Sequence, residues 1–380
     1  MGTHQKLSAP FPGNSLTTRT GLAMNQVSHR TWRIRPYHDG DESLLPALYE
    51  SSDDMPFDLG YWHWLFKANP AGHGYIWLAE DHGVLVGQYA IIPTRMHLRG
   101  RPMRCAQSVA AVTHPHYRRQ GVFKALARAV FEATRSGEVN LGYAFPNDPS
   151  RRGHVKHVGF SVVEKLTTWV RPLNMTSVLN ARTKNRVISN MVGRPAQRLF
   201  NALYPPHLRN RTDIQIQSTS RIPREVDDLF RRCSRRFPNL VVRDYEYLKW
   251  RYEDHPTHSY HILFGYRGNT LQGYCVCGNA VRKGMEIGLV MDLFLDPDDQ
   301  HMATSLIGHA VEYMDAQNMM LAACFLTSKS PFLGRLKSLG FICPAKSFAY
   351  VIRINSGELD PSTLKDAGDW HITFGDADFV

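Results

Sequence analysis

The chain of 380 residues is short of acid and has no long apolar run. Its 45 Lys and Arg outnumber 34 Asp and Glu, a formal net charge of +11 with histidine neutral. Such an excess fits an anionic cofactor, an acidic carrier protein, nucleic acid or an anionic membrane surface, or simply a basic exterior. No segment approaches the ~18 consecutive apolar residues of a membrane-spanning helix, so no transmembrane segment is expected. Residues 1–30 are rich in Ser, Thr, Gly and Pro and lack the apolar centre of a secretory signal; they read as a disordered leader on a cytoplasmic protein. Cysteine is scarce: Cys105, Cys233, Cys275, Cys277, Cys324 and Cys343, with no Cys-x-x-Cys pair and no clustered His, which argues against zinc and for reduced, buried thiols. Missing too are Gly-x-x-x-x-Gly-Lys-Ser/Thr and Gly-x-Gly-x-x-Gly, so the two commoner nucleotide loops are excluded.

What is present is concentrated between Ser108 and Phe160. An apolar strand, Ser108-Val109-Ala110-Ala111-Val112, runs through Thr113-His114-Pro115 into the basic turn Arg118-Arg119-Gln120-Gly121-Val122-Phe123. From Lys124 to Thr134 the spacing of Leu126, Ala129, Val130 and Ala133 predicts a helix with one buried face. A strand that ends in a short Gly-containing turn opening a helix is an anion site. The unpaired N–H groups of the first turn and the positive end of the helix dipole converge on one point.

Arg118 to Phe123 resembles the Arg/Gln-x-x-Gly-x-Gly/Ala signature of the GNAT acyltransferase superfamily, with Phe123 where Gly or Ala is usual. The resemblance implies that the loop residues Arg118, Arg119, Gln120, Gly121, Val122 and Phe123 hold the pyrophosphate of acetyl-CoA or another acyl-CoA. It implies that the preceding strand, from Ala110 through Val112 to Thr113, pairs its backbone with the pantetheine arm. Asn147, in Pro146-Asn147-Asp148-Pro149-Ser150, matches an Asn that family members place beside pantetheine or acceptor. The family's general acid is a Tyr four residues before a Gly-Phe pair, and Val155 stands there. His154, His157 and Tyr143 are the catalytic candidates that remain within reach, beside Ser150. Candidate bases include His114, acidic side chains of the second half or tail, and the Val380 carboxylate.

The sequence is also written twice. Trp64-Leu65-Phe66 with Pro70 is echoed by Trp250-Arg251-Tyr252 with Pro256, and Gly87 by Gly273. Thr113-His114-Pro115 pairs with Leu295-Asp296-Pro297, and Val155 to Phe160 with Leu336 to Phe341. The expected fold is α/β, two tandem GNAT-like domains, each a mixed sheet flanked by helices. The expected division is 1–30 leader, 31–172 donor-binding domain, 173–213 basic helical connector, 214–355 degenerate second domain and 356–380 acidic tail. The second copy has Asp298-Asp299-Gln300-His301-Met302-Ala303 at the loop, without Gly and with two carboxylates, so it is expected to bind no coenzyme A. In the connector, Val187, Ile188, Met191, Val192, Leu199, Phe200, Leu203 and Tyr204 predict helical stripes lying on a domain surface.

These readings converge on an acyl-CoA-dependent N-acyltransferase acting on a primary amine of a small molecule, amino sugar or peptide. No DNA partner is expected. Three alternatives stay open: a Fem-type aminoacyl-tRNA-dependent transferase, an enzyme served by an acidic acyl carrier protein, and a non-catalytic GNAT-like binding protein.

Overall fold

The structure, a computed structural model, describes residues 31–52, 57–135, 137–206 and 213–377, with backbone alone for 344–347. The leader, Arg209, Arg211 and Val380 lie outside the described residues. The first half runs β1 (Arg33–Pro36), α1 (Leu45–Glu50), α2 (Leu59–Phe66), β2 (Tyr75–Asp81), β3 (Val84–Leu98), β4 (Arg101–Thr113), α3 (Val122–Ala133), β5 (Leu141–Ala144), α4 (Asp148–Gly153) and β6 (Ser161–Pro172). Two helices follow, α5 (Met175–Thr183) and α6 (Arg186–Leu203). The second half repeats the order with β7 (Gln215–Thr219), α7 (Val226–Cys233), β8 (Asn239–Val241), α8 (Tyr245–Leu248), β9 (His261–Arg267), β10 (Thr270–Arg282), β11 (Met285–Leu295), α9 (Gln300–Ala316), β12 (Leu321–Leu326), α10 (Leu333–Ser338) and β13 (Ile342–Ile354). The tail adds a short β14 (Trp370–His371).

The repeat in the sequence is a repeat in space. Trp64 and Trp250 stack with ring centroids 4.6 Å apart and planes 13° from parallel. Trp64 Nε1 donates to the Trp250 carbonyl at 2.8 Å, and Trp250 Nε1 donates to the Trp64 carbonyl at 3.0 Å. Equivalent residues exchanging the same bond are the mark of a two-fold relation. The paired glycines serve one purpose. A Cβ on Gly87 would stand 2.6 Å from Val122, and one on Gly273 would stand 2.6 Å from Leu295 and 3.2 Å from Leu306 of α9. Their lack of a side chain lets α3 and α9 settle onto β3 and β10, burying Val122, Leu126 and Val130, and Leu306 and Ile307.

The sheets of the two halves are one. The strand order is β1-β2-β3-β4-β5-β13-β6-β12-β11-β10-β9-β7. β13 from the second half pairs with β5, and β6 from the first half pairs with β12. Each half thus donates its last long strand to the other, and β6 and β13 pair antiparallel at the centre. The boundaries read from sequence fall near the ends of β6 and β7, but neither half closes its sheet without the other. α3 covers one face of the first half. α1, α2 and the tail lie towards the other, with Tyr143 and Cys105 in a core shared with Leu293, Phe294 and Trp370.

One expectation for the connector needs correction. α5 and α6 form, but most of the apolar stripe does not lie on a domain. Val187, Ile188, Met191, Val192, Leu199 and Leu203 are each more than half exposed, at 53–73%. Phe200 does meet the body of the protein, beside Arg171 and Gly340. The cause is a close approach on the opposite side of α6, where a Cβ on Gly193 would lie 2.5 Å from Thr176, which turns the stripe outward.

Candidate active site

β4 is the strand on which the site is built. It pairs with β5 in parallel only at Cys105–Leu141, Ala106–Gly142 and Gln107–Tyr143. Beyond Gln107 its own course is bent: the register against β3 slips between Gln88–Val112 and Ala90–Val109, and Ala110 has φ 48°. A bulge re-aims a strand and leaves a residue unpaired. Here it parts β4 from β5, so that Val109 to Thr113 have no β5 partner in the register. Gln88 Nε2 holds the bulge through the Ala110 carbonyl at 3.3 Å and bonds Tyr49 Oη at 2.9 Å.

The open strand leads to the loop. Arg119 (φ 65°) and Gly121 (φ 86°) are both left-handed, and alternation of hand in a loop turns successive amides into an anion-binding concavity. Gly121 is the N-cap of α3 and offers no side chain to the helix amides. Arg118 Nε donates to the Thr113 carbonyl at 3.3 Å, placing its guanidinium at the end of β4. Gln120 Nε2 bonds the His116 carbonyl at 2.8 Å, and Arg119 and Gln120 are exposed. Val112 is buried and Thr113 half-buried beneath them. Phe123 turns inward, its ring 5.1 Å from His154 and 5.5 Å from Tyr89, and Gly153 gives it room. Asn147 caps α4, its Oδ1 accepting from the Ser150 amide at 3.0 Å, which leaves its Nδ2 available at the C-terminal end of β5.

The structure does not bring the three catalytic candidates together. His154 is buried with both ring nitrogens engaged, Nε2 with Tyr89 Oη at 3.0 Å and Nδ1 with the Ser150 carbonyl at 2.9 Å. Burial lowers its pKa, against the opposing pull of the Ser150 carbonyl, so it is neutral at physiological pH. It is a link in a chain Ser108–Tyr89–His154–Ser150 that ties β4 and β3 to α4. His157 is exposed in a groove with Arg128, Glu132 and Arg353 on the outer side of α3, a groove that none of the loop residues Arg118 to Phe123 lines. Neither histidine lines the cavity beside the parting of the strands. Tyr143 does. It is the last β5 residue paired with β4, and its ring lines a cavity on the α2 side with Gln107, Thr94, Trp64, Tyr247 and Arg251. Burial raises its pKa well above 10, so the phenol keeps its proton.

Gln107, Thr94 and Arg251 were not found as site residues by sequence reasoning, and Ala110 entered it as the first residue of the pantetheine-pairing segment, without its bulge. The only local trace of the bulge is the small pair Ala110-Ala111, and Arg251 is hidden in a repeat where its counterpart is Leu65. Arg251 anchors the tail: its Nε donates to the Gly375 carbonyl at 3.0 Å and its Nη2 to the Ala377 carbonyl at 2.9 Å. The tail thereby forms one wall of the cavity.

The second copy is closed by its own side chains. Asp299 caps α9, accepting from the Met302 amide at 3.1 Å, and pairs with Arg267 at 2.9 Å; Asp298 pairs with Arg236. β11 also slips register, at Met291, but the space beside it is filled by a buried network. Arg243 bonds Asp292 at 3.1 Å and Asp376 of the tail at 2.8 Å, while Thr373 and Tyr274 donate to Asp292 at 3.0 and 2.9 Å.

This architecture has relatives. Residues 38–163 match the model of the acetyltransferase (GNAT) domain family. This segment is a GNAT domain. No curated protein sequence matches the chain. Among solved structures, a GCN5-related N-acetyltransferase from Anabaena variabilis superposes with TM-score 0.61 at 12% identity, over 85% of this chain and 73% of that one. An N-myristoyltransferase from Saccharomyces cerevisiae with bound myristoyl-CoA gives 0.57 at 13%, over 90% and 84%. A tandem GNAT protein from the clavulanic acid biosynthesis pathway gives 0.55 at 14%, over 87% and 100%. At these identities the likeness establishes the fold, two GNAT-like domains in tandem. The GNAT segment holds the parted strands and the uncapped helix; β13, from outside it, completes the sheet beside β5.

Proposed function

We propose that the protein is an acyl-CoA-dependent N-acyltransferase that binds its donor in the first GNAT copy and accepts a primary amine from the α2 side. The observation that carries this reading is the parting of β4 from β5 beyond Gln107–Tyr143, directly below a helix whose N-cap is a left-handed glycine. The amides of Arg119 to Phe123 would hold a pyrophosphate, with Arg118 adding charge at the mouth. The free edge of β4 from Val109 to Thr113 would pair with an amide-bearing pantetheine arm, as one more strand would, and Asn147, which follows β5, would offer its Nδ2 to the arm or the acceptor. A thioester carbonyl placed in the gap has backbone N–H groups of β4 to polarise it.

Transfer then requires the neutral amine to attack the carbonyl carbon, a C–N bond to form, the C–S bond to break, the nitrogen to give up one proton to solvent and the leaving sulfur to gain one. We assign that last step to Tyr143, the last β5 residue paired with β4 and part of the lining of the cavity on the acceptor side. His154 holds α4 at its distance from β3 and β4. Small-molecule amines, amino sugars and peptides are the acceptor classes in view.

Calorimetric titration with coenzyme A tests the donor site. One molecule per chain is expected, because Asp299 already satisfies the helix terminus in the second copy. Gly121→Glu should abolish binding by bulk and charge. Saturation near two, or unchanged affinity in Gly121→Glu, would refute the assignment. Release of free thiol from a panel of acyl-CoA donors and amines then tests turnover.

A further inference from the structure

The least expected surface of the molecule is the outer face of α6. Val187, Ile188, Met191, Val192, Leu199 and Leu203 share one side of this helix, about 27 Å long at the usual rise, and all are more than half exposed. Scattered apolar side chains on a surface need no explanation; six on one helix face do. The face cannot turn inward, because Gly193 is locked against Thr176 and Phe200 lies against Gly340 and Arg171.

Charge says what covers it. From Asn174 to Pro206 there is no Asp or Glu, while Arg182, Lys184, Arg186, Arg194 and Arg198 all lie in this hairpin. On a helical projection Arg194 and Arg198 border the apolar face beside Val187 and Met191. We propose that α6 is an interfacial helix that lays its apolar face on an anionic lipid bilayer, with its arginines at the headgroups. An amphipathic helix with an aliphatic face, a cationic border and too little hydrophobicity to span is suited to lie in the plane of the interface. Among the described residues no helix is long and apolar enough to cross a membrane. A protein partner fits less well: the six exposed residues are all aliphatic, without the Trp or Tyr that anchor protein interfaces, and the single sign of charge opposes a second copy of the same helix.

The test uses the full chain with vesicles of phosphatidylcholine alone or mixed with phosphatidylglycerol, in flotation at low and high salt. Binding to the anionic vesicles is expected, weakened by salt and absent or at least about tenfold weaker on phosphatidylcholine. The triple variant Val187→Glu/Met191→Glu/Leu199→Glu should lose binding with an unchanged circular dichroism spectrum. Arg186→Gln/Arg194→Gln/Arg198→Gln should weaken it on the order of a hundredfold, from about one kcal/mol per cation. No flotation of the full chain with anionic vesicles would overturn the proposal. So would vesicle binding indifferent to both variants. A dimer in light scattering that the triple Glu substitution dissociates, or an acidic acyl carrier protein bound through this face without vesicle binding, would assign the surface to a protein instead.

Discussion

Replacing Gly121 by alanine separates the use of this residue from its cost. At φ 86° an added Cβ meets the following carbonyl, a strain of about 1–2 kcal/mol. Gly159 supplies a control: it sits at φ 88°, and a Cβ there would meet nothing within 4 Å. Both alanine variants should therefore lose the same roughly 1–2 kcal/mol of fold stability, a drop in Tm of about 1–3 °C for a chain of this size. Only Gly121 begins the helix whose amides are proposed to hold the donor. If the Gly121→Ala variant escapes its strain by relaxing to negative φ, the amides of Val122 and Phe123 turn away from their common point. One or more charge-assisted hydrogen bonds are then lost, each about 1.5–3 kcal/mol. The dissociation constant for coenzyme A should rise by about tenfold to a hundredfold. Thermal unfolding and calorimetric titration of the two variants side by side make the measurement. Unchanged coenzyme A affinity in a Gly121→Ala variant whose Tm falls less than that of Gly159→Ala, the sign that its strain has been relieved, would show that the loop does not hold the ligand.

Tyr143→Phe keeps the ring and removes the proton donor, so kcat should fall by about 10²-fold or more with coenzyme A affinity retained, whereas His157→Ala should stay within a few-fold of the parent; a Tyr143→Phe enzyme of near-parental rate would remove the phenol from the mechanism. A pH dependence of stability follows from His371, buried in the tail, whose pKa is pushed down to about 3 by burial and by Arg243, against the opposing charge of Asp292. The unfolded chain, titrating near 6.5, binds the proton that the native state refuses between about pH 6.5 and 3, so this stability is complete above about 6.5 and declines as pH falls through that window. The slope is at most about 1.4 kcal/mol per pH unit, and His371→Phe should flatten it in denaturant titrations at stepped pH; equal slopes in the two proteins would refute this.

Much of this protein was decided within short stretches of chain. The strand–turn–helix from Ser108 to Thr134 follows from apolar alternation, a turn glycine and helical spacing, all of them local, and the structure has β4, left-handed Gly121 and α3 there. The tandem architecture was legible because both copies solve the same packing problems with the same residues, Trp64 and Trp250 at the two-fold contact, Gly87 and Gly273 beneath their helices. The contrast between Gly121 and Asp299 as helix caps was equally local.

What only the tertiary structure decided depends on pairings between distant residues. Nothing in the sequence of β6 or β13 says which sheet it will join, because a strand's pattern specifies its faces and not its neighbour; the exchange that makes one sheet of two is a property of the assembled chain. The bulge at Ala110 is set by its register against β3, and no residue type there demands it. The surroundings of His154 came from afar: Tyr89, Phe123 and Phe160 close around it, and its own sequence context does not announce them. Tyr143 lines its cavity with Gln107, Thr94 and the tail, which meet it across some 230 residues of chain from β5 to Ala377. Local chemistry could name the loop, but only long-range packing could say which side chains face the opening.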